Sequence, residues 1–195
     1  MSALGVLYNI QLLRYAGEDG VAAYGVVMYV NMIFLAVYIG YGTGVAPVIS
    51  YHFGAQNHAE LKNLFRRSVR FILACSLLMF ATGILFAEPL SRLFVGYDAA
   101  LLTMTVRAFR VYAVSFLLSG VALLGSCFFT ALNDGVTSAV ISFMRTLVFQ
   151  SAAVMLMPLL WGVDGIWWSV VGSEAMAMAV AVFFFYRHRH KFHYA

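Results

Sequence analysis

Five stretches of this chain are each long and apolar enough to cross a lipid bilayer as a helix. A spanning helix needs about 20 largely apolar residues, because the hydrocarbon core is about 30 Å thick. The stretches are residues 21–48, 67–87, 104–132, 137–160 and 164–186. A sixth, residues 1–15, is too short to span alone and is predicted to be the end of a helix that lacks its beginning. We therefore predict an all-α, polytopic helical membrane protein with five full transmembrane helices plus a clipped first helix.

The composition argues against a soluble protein. Charged residues make up only 10% of the chain and hydrophobic residues 63%. A soluble domain has about 25% charged residues, so this chain has too few to cover a water-facing surface. Its predicted helices are apolar on all sides, whereas the helices of a soluble bundle have one polar face. A soluble helical bundle is therefore a much weaker alternative.

The basic residues predict how the chain is oriented in the membrane. Seven of the twelve lysines and arginines fall in two clusters, Lys62–Arg70 and Arg187–Lys191. Such clusters beside membrane spans usually mark the cytoplasmic side. Counting spans places both clusters on one side of the membrane. We predict a transmembrane lobe, residues 1–187, followed by a basic cytoplasmic tail, residues 188–195. No soluble domain is present to hold a nucleic acid, so no nucleic-acid partner is predicted.

A glycine-rich run ends the apolar stretch of residues 21–48. Gly40, Gly42, Gly44 and Pro47 predict a broken helix end at this point. The Gly40-x-x-x-Gly44 spacing favours close helix packing, and Pro47 favours bending. The glycines superficially suggest a nucleotide-binding loop, but such a loop follows a strand and this run follows a membrane helix. We interpret the four residues as hinge or packing positions.

Four polar residues lie deep in apolar stretches and are the candidate transport residues: Glu174, Arg145, Asn31 and Gln150. A carboxylate at the centre of a membrane helix costs about 3 kcal/mol on insertion scales, so Glu174 should face protein or water. Its role is either proton carriage or a structural tie between helices. Arg145 either pairs with Glu174 or extends to the membrane surface. Polar residues of this kind either bond a neighbouring helix or line a wet cavity, and Asn31 and Gln150 are the better candidates for facing a cleft because they lie deep.

Several aromatic and methionine side chains are candidates for binding flat lipophilic cations, by cation–π and dispersion contacts. They are Tyr8, Tyr38, Tyr41, Phe116 and Met144. Packing against lipid or other helices is the commoner role of such residues, and both interpretations stay open. No nucleophile–histidine pattern or metal-ligand spacing stands out, so neither an enzyme, a cofactor nor a metal site is predicted.

Four segments share a pattern, in order and at similar spacing, with one transporter family. They are the run from Gly42 through Pro47 to Asn57, the run Phe128–Gly135 with Ser138 after it, Ser142 and Arg145 with the later Pro158 to Trp167, and Glu174. Together they resemble the last six helices of the multidrug and toxic compound extrusion (MATE) family, most closely its small bacterial multidrug exporters. Each segment is a weak signal, but four in register across almost the whole chain are specific.

This resemblance implies a fold and a function. It implies one lobe of a two-lobed MATE-like transporter, whose partners would be the lipid bilayer, a missing N-terminal six-helix lobe and small organic cations or drugs. The implied activity is a cation-coupled antiporter, driven by H⁺ or Na⁺, in the bacterial inner membrane. One branch of the family carries acids on the first and fourth helices of this lobe, and the matching stretches here have none. Two alternatives are a lipid-linked oligosaccharide flippase of related fold and a non-transporting membrane fragment.

Overall fold

Helices account for nearly all of the computed structural model, which describes residues 3–194. The elements are α1 (Ala3–Gly54), α2 (His58–Leu85), α3 (Ala87–Val95), α4 (Ala99–Ala131), α5 (Gly135–Phe143), a π-helical segment (Met144–Phe149) and α6 (Gln150–Phe192). No strand occurs within this range. The first two residues of the predicted helix 1–15 and the last residue of the predicted tail 188–195 lie outside the described residues.

Two glycines fold the longest helices back on themselves. Gly17 (φ 68°) and Gly162 (φ 57°) have left-handed backbone angles inside α1 and α6, which glycine adopts at little cost. The rings of Tyr8 and Tyr24 stack at 5.3 Å, although a straight helix would separate these residues by about 24 Å. α1 is therefore a hairpin.

The same reversal occurs in α6. A Cβ atom at Gly165 would overlap the carbonyl oxygen of Met157, although a straight helix would place these residues about 12 Å apart. Within residues 3–194, four continuous helical stretches are long and apolar enough to span a membrane: Leu4–Gly54, His58–Leu85, Ala99–Ala131 and Gly135–Phe192. Since the first and last of them fold back at Gly17 and Gly162, these four stretches form six helical segments within residues 3–194, and α3 is a separate short helix.

Several helices extend beyond their predicted limits. α2 begins at His58, nine residues before the predicted start at 67, because Asn57 Oδ1 accepts a hydrogen bond from the Glu60 N–H (3.2 Å). α6 continues through Phe192, into the segment predicted as a tail. The connection predicted between residues 88 and 103 contains α3. The polar cap at Asn57 determines where α2 begins, whereas the predicted limits follow apolarity alone.

The predicted break at the glycine-rich run does not occur. α1 continues as a helix through Gly40, Gly44 and Pro47 to Gly54. A Cβ at Gly42 would lie 2.7 Å from Cys127 Sγ, so this glycine allows α1 to approach α4 closely. A Cβ added at Gly40 or Gly44 would meet nothing within 4 Å among the described residues. Packing against the neighbouring helices stabilises a helix here that the local sequence disfavours. The predicted role of these residues as a hinge remains a prediction.

Helix α4 is the centre of the bundle and buries much of its surface against α1, α2 and α6. At one end of the bundle, Tyr194 is fully buried against Phe65, Phe128 and Phe129. This contact brings the start of α2, the α4–α5 turn and the C-terminal residues together. Both basic clusters therefore lie at one end, which we call the basic end. The hairpin turns at Gly17 and Gly162 lie at the opposite end.

Candidate functional site

A polar cavity of about 230 Å³ lies between α1, α4, the π-helical segment and α6. All four polar residues that the sequence singled out, Asn31, Arg145, Gln150 and Glu174, line it. They come from distant parts of the chain and meet because α1 and α6 are hairpins. Since the helices around them are apolar, this cavity is the candidate functional site of the lobe.

Arg145 and Glu174 form a two-pronged ion pair in the wall of the cavity. Arg145 Nε donates to Glu174 Oε2 at 2.9 Å, and Arg145 Nη2 donates to Glu174 Oε1 at 2.7 Å. The side chains are only 16% and 3% exposed. A straight helix would separate the two residues by about 43 Å, so the reversal at Gly162 creates the pair. In the structure, Arg145 therefore pairs with Glu174 and does not extend to the membrane surface.

The arginine lies in an unusual part of its helix. Residues Met144–Phe149 form a π-helix, and Arg145 and Thr146 from this segment line the cavity. π-helical turns are rare and frequently occur at functional sites. Each π-helical hydrogen bond closes a turn that contains one more residue than an α-helical turn. The side chains after such a turn therefore point in a different direction from those before it. The sequence contains no glycine or proline here that would have predicted the distortion.

Aromatic side chains form another wall of the cavity. Tyr8 and Tyr24 stack with their rings 7° from parallel, and Tyr112 is buried beside them. The Tyr8 hydroxyl lies 3.1 Å from Ser169 Oγ. Of the aromatic candidates from the sequence, Tyr8 lines this cavity, whereas the Tyr38 hydroxyl bonds Ser76 and Phe116 in the core.

Sequence reasoning missed Tyr24 and Tyr112, although a periodic signal was present. Tyr24, Met28, Asn31 and Leu35 all line the cavity, at the spacing of one helix face. Tyr112, Ser115 and Ser119 follow the same rule on α4. Projecting the face that contains Asn31 along the helix would have found Tyr24.

The two amides of the cavity keep most of their hydrogen-bonding capacity. Asn31 Nδ2 has one weak contact, to Met28 Sδ at 3.9 Å. Gln150 has no side-chain hydrogen bond to any of residues 3–194. Buried amides in a membrane bundle usually find partners or line wet cavities. Both amides are therefore free to bind water or a ligand.

The chain matches a known family over most of its length. The family model named MatE matches residues 1–154. This chain belongs to the MatE family. A multidrug export protein, MepA of Staphylococcus aureus (strain NCTC 8325 / PS 47), is 23% identical over 185 residues, which cover 90% of this chain and 38% of MepA. The MatE chain therefore spans about two-fifths of the length of the curated relatives that it matches.

Solved structures share the fold. An outward-facing multidrug resistance MATE family transporter of the MOP superfamily superposes with a TM-score of 0.89 at 21% identity, over 97% of this chain and 43% of that one. An inward-facing structure with the same description superposes with a TM-score of 0.87 at 20% identity, over 95% and 43%. The predicted fold is confirmed: this MatE chain is an all-α membrane protein that corresponds to one lobe of such a transporter.

The charges of the cavity limit what the MatE lobe can bind there. Both carboxylate oxygens of Glu174 accept hydrogen bonds from Arg145, so the pair is neutral overall. A cation that binds Glu174 must first compete with the guanidinium. Among residues 3–194, no group of three or more His, Cys, Asp or Glu side chains could hold a metal ion. Glu174 supplies the one carboxylate among the described lining residues of the cavity.

Proposed function

We propose that this MatE chain is the C-terminal six-helix lobe of a cation-coupled antiporter that exports organic cations or drugs. The observation that carries the proposal is the Arg145–Glu174 pair in the wall of a polar cavity. An ion pair at this depth is costly to maintain unless both charges are satisfied. A carboxylate that can exchange its partner provides a site where an ion gradient acts on the lobe.

Coupling begins with competition for Glu174. A proton or Na⁺ that enters the cavity neutralises the carboxylate and releases the Arg145 guanidinium. The two residues lie on opposite arms of the helical hairpin that reverses at Gly162, so their release changes the bonding between those arms. Asn31 and Gln150 offer oxygen and N–H groups to the incoming ion or its water.

Expulsion then follows from movement of the whole lobe. The lobe superposes about equally well on outward-facing and inward-facing transporters, with TM-scores of 0.89 and 0.87. This supports a mechanism in which the lobe moves largely as a unit against a second lobe, as in alternating access. The stacked Tyr8 and Tyr24 rings supply faces that attract organic cations.

The membrane position forms part of the proposal. We place the lobe in the bacterial inner membrane, with the basic end on the cytoplasmic side, because both basic clusters lie at that end. The partner is a six-helix N-terminal lobe, since the chain spans about 38% of MepA. The activity is transport and includes no covalent reaction.

The proposal is tested by dye efflux. The chain is expressed, together with any coding sequence that continues upstream of it, in cells that lack their own drug exporters. Export of ethidium is measured while external Na⁺ and pH are varied. We expect export that depends on one of the two gradients and is lost in Glu174→Gln. Full export by Glu174→Gln at every pH would contradict a coupling role for this residue.

The same experiment separates the alternatives. A flippase for lipid-linked sugars needs a cleft with several free cations for the pyrophosphate, and the described cavity lining has one arginine, already paired with Glu174. That alternative predicts lipid-linked sugar movement without dye export. A non-transporting fragment predicts no export even when an N-terminal lobe is supplied.

A further inference from the structure

The short helix α3 lies at the end of the bundle opposite the basic end and exposes apolar side chains. It buries Ala87, Ser91 and Val95, whereas Leu93 on its other side is 78% exposed. Leu85, just before α3, is 73% exposed. A short amphipathic helix with exposed leucines beside a membrane span is expected to lie in the bilayer interface.

Three arginines surround the groove between α3 and α4, and two of them are neutralised. Arg92 Nη2 lies 2.6 Å from Glu88 Oε1, and Arg107 Nη2 lies 2.5 Å from Asp164 Oδ2. Arg110 is exposed and has no hydrogen bond or ion pair with any of residues 3–194. The groove therefore carries one uncompensated positive charge.

Arg110 points away from the central cavity. Tyr112, Ser115 and Ser119 mark the cavity-facing side of α4. At 3.6 residues per turn, each of these positions is about 140° to 180° from Arg110 around the helix. The Arg110 charge therefore serves neither the Arg145–Glu174 pair nor a ligand in the cavity.

Two adjoining cavities of about 480 and 650 Å³ meet at Arg110 and Glu88. The first also contains Arg107 and Val106, and the second contains Arg92 and Leu93. Both cavities are thus lined by apolar side chains and arginines, together with the Glu88 carboxylate that the two cavities share. This combination suits a molecule with an anionic head and a hydrocarbon tail.

We propose that the groove between α3 and α4 binds the phosphate headgroup of an anionic phospholipid through Arg110. The guanidinium presents two parallel N–H donors to a phosphodiester, and the single negative charge of that group matches the single free charge of the groove. Arg110 is one helical turn further from the start of α4 than Arg107, within reach of the headgroup layer by extension of its side chain. The acyl chains then cover Leu85, Leu93 and Val106. This site is independent of the proposed transport function.

The test measures which lipids remain with the protein. The full chain is reconstituted into vesicles of defined mixtures of phosphatidylglycerol and phosphatidylcholine and is then released from them in polymer-bounded discs. Bound lipid is counted by native mass spectrometry. We expect phosphatidylglycerol to be enriched over the bulk mixture. Arg110→Gln should lower its apparent affinity about fivefold, since one interfacial arginine is worth about that much. Arg110→Lys, which keeps the charge and loses the paired N–H donors, should lower it by a smaller factor.

Two controls make the result specific. Arg14→Gln removes an exposed arginine at the same end of the bundle, outside the groove, and should leave the enrichment unchanged. Helical content by circular dichroism verifies that each variant is folded. The proposal is overturned if Arg110→Gln retains full enrichment or if Arg14→Gln loses as much. It is also overturned if millimolar inorganic phosphate displaces the lipid, because the groove would then be a site for the free anion.

Discussion

Two ion pairs of nearly equal length lie in very different surroundings. The Arg145–Glu174 pair is 2.7 Å long with side chains 16% and 3% exposed, and the Arg107–Asp164 pair is 2.5 Å long with side chains 68% and 40% exposed. The first lies among apolar helices and the second at the end of the bundle. The distance between the charged atoms of an ion pair therefore says little about how much the pair contributes to stability. Burial determines the cost of breaking it.

The largest effect is expected at the buried pair. Glu174→Gln leaves the largely buried Arg145 charge unpaired, and breaking such a pair typically costs about 3–5 kcal/mol of folding free energy. The double variant Arg145→Met/Glu174→Leu removes both charges and should recover most of the loss. The free energy of unfolding in bicelles is the measurement. A loss below about 1 kcal/mol for Glu174→Gln would mean that water already screens this pair.

Packing near the exposed pair is expected to matter more than its charges. Gly165 follows Asp164 and lies against the backbone of Met157, so Gly165→Ala should push the arms of the α6 hairpin apart at a cost of about 1–3 kcal/mol. Gly25→Ala is the matched control, because a Cβ there meets nothing within 4 Å. Thermal unfolding of the two variants is compared. Equal stability would show that the hairpin relaxes freely at this point.

A third, intermediate environment lies at the basic end. Asp134 caps α5 by accepting hydrogen bonds from Thr137 N (3.2 Å) and Thr137 Oγ1 (2.9 Å), and it lies 3.7 Å from Lys191 Nζ. Asp134→Ala should cost about 1 kcal/mol by removing the cap. Asp134→Asn retains a capping oxygen and should cost less. If both variants lose the same amount of stability, the negative charge of Asp134 contributes more to stability than its capping hydrogen bonds do.

The pH dependence of Asp134 has a definite sign. Burial alone would raise its pKa, but the hydrogen bonds from Thr137 and the nearby Lys191 and His188 lower the pKa overall. Ionised Asp134 therefore stabilises the folded state at pH values above its ordinary pKa, and this stabilisation is lost as the pH falls through the lowered value. Unfolding midpoints measured from about pH 6 down to about pH 3 should fall more steeply for the unaltered chain than for Asp134→Asn.

The smallest effect is expected at the exposed pair. Arg107→Gln should change the free energy of unfolding by less than about 1 kcal/mol, because water and salt screen exposed charges. Repeating the measurement at high salt should remove what difference remains. A loss as large as that of Glu174→Gln would contradict the comparison between the two pairs. It would indicate that the end of the bundle is less hydrated than its exposure suggests.

The four polar cavity residues were predictable because polar groups are conspicuous in apolar helices. Glu174 and Arg145 are costly in hydrocarbon, so each must face a partner or water. Tyr24 and Tyr112 carried no such signal, since a tyrosine serves equally well against lipid or in a cavity. The predicted start of α2 was late because the Asn57 cap contributes nothing to apolarity.

The amino-acid sequence was enough to establish an all-α membrane protein, since a bilayer about 30 Å thick requires long apolar helices with satisfied backbones. It also placed both basic clusters at one end, because each span reverses direction. The choice between the two alternatives for Arg145, the π-helical segment and the position of Tyr112 in the cavity wall were decided only by the packing of the helices. These features depend on how each helix is rotated about its axis and on the reversal at Gly162. Such rotations are determined by contacts between distant residues, which local hydrophobicity does not encode.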